Sequence, residues 1–257
     1  MNNRIIGIMG AMPEEITGII ALLSNKSETT IGKRTYVTGK INDVDTVVVF
    51  SRWGKVAAAA TVSTLILEFK ITELVFTGVA GAISHNLNIG DIVIAKRLIQ
   101  HDMDARPLME RFEIPLLDVT YFVTDAHLLD KTEKALMPLI ESSLLADTVG
   151  ENVLHDFNVH KPVLHVGDIA SGDQFFASHE QRDNLHDALP LTLCVEMEGA
   201  AVGQVCYEYD IPFLIVRVIS DAADDQSHID FPKFIKEVSS KYSVAIIQQL
   251  FSTEVLK

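Results

Sequence analysis

Residues 4–15 read Arg-Ile-Ile-Gly-Ile-Met-Gly-Ala-Met-Pro-Glu-Glu. Arg4 to Met9 has strand length and, after Arg4, no polar residue, the pattern of a strand buried on both faces. Pro13 suits the first turn of a helix, where its missing N–H is not needed. Glu14 and Glu15 fit the positive end of that helix. The stretch therefore reads strand, turn, helix, the opening of an α/β domain.

The alternation continues outward. Thr35 to Lys40 and Val44 to Ser51 flank Asn42-Asp43 and predict a hairpin. Lys55 to Phe69 is an alanine-rich helix. Glu73 to Thr77 is a short buried strand that enters a turn at Gly78-Val79-Ala80-Gly81-Ala82. Asp91 to Lys96 is a strand that runs on towards His101. Residues 102–120, with Pro107 and Pro115, form a long loop, and Asp125 to Leu145 is a helix with a break expected near Pro138. Val163 to Ile169, Leu191 to Met197 and Pro212 to Ile219 are strands. Ser178 to His186 is a short helix, Glu198 opens another, and Phe231 to Phe251 is one long amphipathic helix. Strands alternating with helices imply a three-layer sandwich, a mixed and mostly parallel central β-sheet flanked by helices. No composition shift divides the chain, so residues 1–257 are expected to form one domain.

With 48% hydrophobic residues the 257-residue chain can build a large core, which excludes disordered and collagen-like classes. Its 21 Lys and Arg against 35 Asp and Glu give a net charge of −14. That surface repels phosphate backbones and anionic lipid, so neither nucleic acid nor membrane is an expected partner. Cys194 and Cys206 lie in apolar runs, too few for a disulfide framework or a structural zinc site. The N-terminus lacks a signal-peptide pattern, and the longest apolar run, Val56 to Leu67, is too short to span a bilayer. A cytoplasmic protein is expected.

In such sheets ligands bind at the carboxyl ends of the strands. Those ends carry Gly10-Ala11-Met12, Ser51-Arg52-Trp53-Gly54, Thr77 to Gly81, Ser171-Gly172-Asp173, Val195 to Glu198 and Ile219-Ser220-Asp221. Glu15, Glu198 and Asp221 each follow an apolar run. A carboxyl at the rim of a core is partly desolvated, which raises its pKa and suits acid or base work near neutrality. One such acid could simply satisfy a helix N-terminus; three on one sheet edge favour a site.

Other motifs are weak. Gly78-x-x-Gly81 is not a dinucleotide fingerprint, Gly54-Lys55 is not a P-loop, and no Gly-x-Ser-x-Gly elbow occurs. His101-Asp102-Met103-Asp104 and Asp224-Asp225-Gln226-Ser227-His228 lack zinc spacing and read as solvated loops. No metal or cofactor is expected.

The strand-end motifs occur in a set order: Gly10-Ala-Met-x-x-Glu15, Gly54-Lys-Val-Ala-Ala, Thr77-Gly-x-Ala-Gly, Gly90-Asp-Ile-Val, Ser171-Gly-Asp, Val195-Glu-Met-Glu198 and Ile219-Ser-Asp-x-Ala-Asp. With them the chain resembles the 5′-methylthioadenosine/S-adenosylhomocysteine nucleosidases of the nucleoside phosphorylase superfamily, from Ile5 to about Phe234. The resemblance implies a nucleoside phosphorylase-like fold and a homodimer. It also implies hydrolysis of the N-glycosidic bond of adenine thionucleosides without metal or cofactor.

By resemblance, Glu15 activates the attacking water and Asp221 protonates adenine N7, with Ser220 beside it. Glu198 holds the ribose hydroxyls, Met197 packs on the sugar and Phe175 stacks on the base. Val79, Ala80 and Gly81 form the turn beneath the ribose, and Arg217 orients the site from behind. The expected substrate-binding set also takes in Met12, Trp53, Glu196 and Phe176. Phe231 and the Ala105–Pro115 loop of a partner subunit would line the 5′-substituent pocket. Three positions depart from the family pattern. Trp53 replaces a usual isoleucine, Phe176 a usual aliphatic residue, and Ala105-Arg-Pro-Leu108 a segment with Thr and Phe.

The alternatives are a purine nucleoside phosphorylase, a hydrolase of a related 5′-modified nucleoside such as futalosine, and a nucleoside sensor without turnover. A phosphorylase needs cations for phosphate, and the nearby ones, Arg52 and Lys55, read as surface or helix-start residues. A sensor needs no water-activating base.

Overall fold

The computed structural model describes residues 4–159, 161–223 and 227–256, apart from the side chains of 227–230. The opening stretch forms β1 (Ile5–Gly10) and α1 (Pro13–Leu22). There follow β2 (Ser24–Ile31), β3 (Arg34–Ile41), β4 (Val44–Phe50), α2 (Lys55–Leu67), β5 (Glu73–Ala82) and β6 (Ile92–Gln100). The middle of the chain holds β7 (Phe122–Val123), α3 (Ala126–Glu141), α4 (Leu144–Val149) and α5 (Glu151–Asp156). Then come β8 (Leu164–Ser171), α6 (His179–Ala188), β9 (Thr192–Glu196), α7 (Gly199–Glu208) and β10 (Phe213–Asp221). The chain closes with α8 (Ser227–Phe234), a π turn (Ile235–Ser239) and α9 (Ser240–Ser252).

The α/β class is as expected, but the sheet is not that of a plain sandwich. β5 is twice the expected length, because Gly78 to Ala82 continues the strand where a turn is predicted. Its first half pairs in parallel with β1, and Gly81 and Ala82 pair with β9. β10 takes its other edge in parallel and pairs antiparallel with β6. β6 pairs with β8, and β8 with β9. The path β5–β10–β6–β8–β9 thus returns to β5 and closes a ring. From β5 the strands β1, β4, β3 and β2 fan out as an open wing. Closure removes the free edges from the half of the sheet that carries the residues expected to form the site.

Strand alternation divides the core in two. Ile6 and Ile8 of β1, and Leu214, Val216 and Val218 of β10, pack with α1, α3 and α9. Met9, Phe213, Ile215 and Ile219 point the other way, into a cluster with Val62 and Leu65 of α2 and Cys206 of α7. Both cysteines are buried and free.

Two strands leave no signal in the sequence, and two expected helices need correction. β2 has no apolar alternation, being almost wholly exposed, and exists through its antiparallel pairing with β3. β7 is too short to leave a pattern. α3 runs through Pro138, and the chain breaks at Ser142-Ser143 and at Gly150, whose φ is +96°. The C-terminal helix is interrupted by the π turn, whose extra residue per turn leaves the apolar pattern almost intact.

Candidate active site

A cavity of about 260 Å³ opens where β1, β5, β9 and β10 end. It is lined by Ala11, Met12, Trp53, Gly78, Val79, Ala80, Gly81, Gln174, Phe175, Phe176, Val195, Glu196, Met197, Glu198, Arg217, Ser220, Asp221 and Phe231. Every substrate-binding residue expected from the sequence is in that wall, and so is Asp221. Glu15 lies just behind it.

The backbone explains the convergence. β5 and β10 run side by side, Arg217 opposite Gly78 and Ile219 opposite Ala80, and the register then slips so that Asp221 faces Gly81. Such a bulge re-aims side chains, and here the consecutive residues Ser220 and Asp221 both reach the cavity. Ser220 Oγ donates to Asp221 Oδ2 at 2.7 Å, and the Ala223 N–H donates to Oδ1 at 2.8 Å. Val79, Ala80 and Gly81 line the cavity from a strand rather than the expected turn. Gly81 is needed for closeness: a Cβ there would lie 3.0 Å from Asp221 Oδ1.

Glu15 stands in the first turn of α1, fully buried. Its Oε2 accepts from the Ala11 and Met12 N–H groups, each at 3.0 Å, and its buried Oε1 has no partner within the protein. Burial pushes its pKa up to about 7, against the pull of Arg217 and of those N–H groups. A Cβ on Gly78 would lie 3.3 Å from Glu15 Oε1 and 3.4 Å from Arg217 Nη1, so the missing side chain of Gly78 is a window from the cavity onto Glu15.

Glu198 precedes α7, and its Oε1 accepts from the Gly54 N–H at 2.7 Å. Burial, followed by the charge of Glu196, pushes its pKa up to about 8. Glu196 is differently occupied. Its oxygens accept from Ser171 Oγ, the Glu198 and Gly199 N–H groups, and Arg217 Nη2 at 2.8 Å. It lines the cavity but its hydrogen bonds serve the protein, fastening α7 to β8 and β10. Arg217 is almost completely buried over the Phe76 ring, its guanidinium carbon 4.0 Å from the ring centre.

The remaining wall is aromatic and thioether. Phe175 meets Phe231 edge-on at 5.7 Å, and Phe176 meets His101 edge-on at 5.3 Å. Trp53 sits at the rim, 60% exposed, with Nε1 directed at Met12 Sδ, 3.1 Å away. Sequence reasoning missed Gln174, which lines the cavity between two named neighbours, and the Gly54 N–H that grips Glu198. A backbone donor leaves no residue-type signal.

Among the described residues no group of three or more His, Cys, Asp or Glu could hold a metal ion. Asp224, Asp225 and the side chain of His228 lie outside the described residues. Among the described residues, too, no helix is long and apolar enough to cross a membrane.

Comparison with known proteins places this site in a family. The family model of the Phosphorylase superfamily matches residues 5–252. A 5′-methylthioadenosine/S-adenosylhomocysteine nucleosidase of Staphylococcus aureus is 35% identical over 249 residues, spanning 95% of this chain and 100% of the relative. The Streptococcus pneumoniae nucleosidase, solved with the transition-state inhibitor MT-ImmA, superposes with a TM-score of 0.82 at 32% identity, over 96% of this chain and 98% of that one. The futalosine hydrolase of Helicobacter pylori reaches a TM-score of 0.82 at 29% identity, over 97% of this chain and 98% of that one. With its strand-end motifs in order and its match nearly end to end, the chain belongs to the phosphorylase superfamily and, within it, to the family of the 5′-methylthioadenosine/S-adenosylhomocysteine nucleosidases.

Proposed function

We propose that the protein hydrolyses the N-glycosidic bond of 5′-methylthioadenosine and S-adenosylhomocysteine, releasing adenine and the 5′-thioribose. The observation that carries this is three carboxylates, Glu15, Glu198 and Asp221, around one cavity with no cation beside it, among the described residues, free to hold phosphate. Arg217 is committed to Glu196, Lys55 to Asp102 at 2.6 Å, and Arg52 to the Lys33 carbonyl at 2.6 Å. A phosphorylase needs such a cation, so water is the acceptor this site suits.

Each carboxylate has a task in that reaction. C1′ passes through an oxocarbenium-like state as its bond to N9 breaks. Asp221 gives a proton to adenine N7, so that the base leaves neutral. Glu15, reached through the Gly78 window, takes the proton of the water whose oxygen bonds to C1′. A base with a pKa of about 7 is matched to neutral pH. Glu198 accepts from the ribose hydroxyls and sets negative charge beside the cationic sugar. Met197 packs on the sugar, Met12 lines the same cavity, and Phe175 stacks on the base.

The whole chain acts as one nucleosidase domain in the cytoplasm, in methionine salvage, as a homodimer. The dimer is supported by exposed apolar side chains at and before α2, with Val56 81% and Leu67 47% exposed. The partner's 105–115 loop then completes the 5′ end of each site.

The test is adenine release from 5′-methylthioadenosine in phosphate-free buffer. Release without phosphate is expected, and release that requires phosphate overturns the hydrolase reading. A second reading, hydrolysis of futalosine, is favoured by one observation: the bulky Trp53 at the cavity rim where the family usually has isoleucine. Turnover of futalosine with none of methylthioadenosine would establish it instead.

A further inference from the structure

Lys55, Asp102 and Asp173 take no part in the chemistry above, yet they are tied together directly behind it. Asp102 follows the end of β6, in the His101–Asp104 stretch. Its Oδ1 accepts from Lys55 Nζ at 2.6 Å and its Oδ2 from the Asp173 N–H at 3.0 Å. Lys55 Nζ is also held by Gln100 Oε1 at 3.1 Å. Asp173 Oδ1 in turn accepts the Lys55 N–H at 2.7 Å, the first N–H of α2. These bonds form a closed circuit joining the end of β6, the start of α2 and the segment after β8.

Two of those segments run into the cavity. Gly54, next to Lys55, donates its N–H to Glu198 Oε1 from a left-handed φ of +88°. A Cβ on Gly54 would lie 3.0 Å from Asp173 Oδ1, so the two strands of the circuit are in contact there. Asp173 leads straight into Gln174, Phe175 and Phe176 of the cavity wall. The third segment supports the same wall, since buried His101 packs edge-on against Phe176 and fills the space beside Gly172.

We propose that Asp102 is a positioning residue for nucleoside binding: through Lys55 and Asp173 it fixes the Gly54 N–H that holds Glu198 relative to the aromatic segment Phe175–Phe176. The proposal rests on the nucleosidase reading of the cavity. An exposed ion pair would do little, but the side chains of Lys55 and Asp102 are only 17% and 23% exposed, and the circuit reaches the backbone of Asp173 and Lys55. Burial works to raise the Asp102 carboxyl, and the Lys55 ammonium and the Asp173 N–H outweigh it and hold it below its ordinary range. Asp102 therefore stays ionised and paired with Lys55 around neutral pH.

Opening it has a signature that simple loss of structure lacks. The Gly54 N–H favours the ionised form of Glu198, which Glu196, Arg217 and Glu15 also face. Without that bond Glu198 binds its proton more tightly, and the acid limb of kcat/KM moves to higher pH. For Asp102→Ala the KM for methylthioadenosine is expected to rise about tenfold, the effect of one hydrogen bond to a charged group. The kcat is expected to stay within about threefold. Asp102→Asn keeps the shape but not the charge, and shifts both readouts the same way by less. Asp130→Ala, on the exposed face of α3, serves as the control with native values.

An inactive wild-type protein overturns the nucleosidase reading and this proposal with it. If the wild type turns over while both Asp102 variants keep the native KM and pH profile, the positioning role alone falls. It falls equally if kcat and melting temperature drop together in both variants with the pH profile unmoved. Should Asp102→Ala not fold, Asp102→Asn decides by the same two readouts.

Discussion

In the proposed reaction Glu15 trades stability for chemistry. Its ordinary pKa of 4.5 is pushed up to about 7 by complete burial. A carboxyl whose folded pKa is raised favours the fold when protonated. Stability is therefore full below about 4.5 and is lost as pH rises through about 7. The difference corresponds to about 3 kcal/mol at pH 8. Glu15→Gln is expected to raise Tm by roughly 5 °C at pH 8 and to leave it unchanged at pH 4.5. The same substitution should lower turnover by about 10²–10⁴-fold. Equal melting temperatures for the two proteins at both pH values would count against the buried charge. In the proposed reaction Glu15 and Glu198 both act ionised, so kcat/KM should fall as pH drops below about 7 to 8, the range their pKa values mark. At Gly78 an added Cβ meets both Glu15 and Arg217 at 3.3–3.4 Å. Gly78→Ala should close the window, with kcat/KM down by about tenfold or more and Tm nearly native; an unchanged kcat/KM would show that water reaches C1′ by another route. These carboxylates were legible in the sequence because each breaks an apolar run. The window was not, since glycine there looks like any turn glycine.

At the scale of elements, α7 is the joint on which the site turns. Its N-terminus has no ordinary cap: the Glu198 and Gly199 N–H groups go to Glu196, and the Ala200 N–H goes to Ser171 Oγ at 2.7 Å. Glu196 thus meets the positive end of a helix and a buried guanidinium together. Glu196→Gln keeps the shape but leaves Arg217 buried without its counter-charge, an arrangement that costs about 3 kcal/mol. Calorimetry should show Tm lowered by roughly 6 °C or more. The acid limb of kcat/KM should also move to lower pH, since the charge of Glu196 helps to raise Glu198. A native Tm would mean that Arg217 had found another partner. The same elements show where sequence reading stops. β1, the Ile92–Ala95 start of β6 and the Phe213–Val216 start of β10 were legible because burial on both faces writes an apolar run. The second half of β5 was not, because Gly78 and Gly81 serve the site and so carry a turn's composition within a strand. β2 was invisible because pairing with β3, and no buried face, holds it in place.

For the whole molecule, the charge of −14 and the exposed apolar face of α2 pull in opposite directions. Two copies of so acidic a chain repel each other, so a homodimer must be held by apolar contact at a face the fold leaves uncovered. Val56, Ala60 and Leu67 share one side of α2 at helical spacing and are all exposed, and Trp53 lies just before them. Apolar association opposed by long-range repulsion should strengthen as salt screens the charge, over a Debye length of about 10 Å at 0.1 M. Sedimentation at increasing ionic strength should therefore show a dimer that tightens. Val56→Asp should shift it to monomer by placing a charge on the most exposed apolar side chain of that face. If the partner's 105–115 loop completes each site, the monomer should bind methylthioadenosine more weakly while its melting curve changes little. A Val56→Asp protein that remains dimeric would move the interface off α2, and a monomer with native KM would show that each subunit's site is complete by itself.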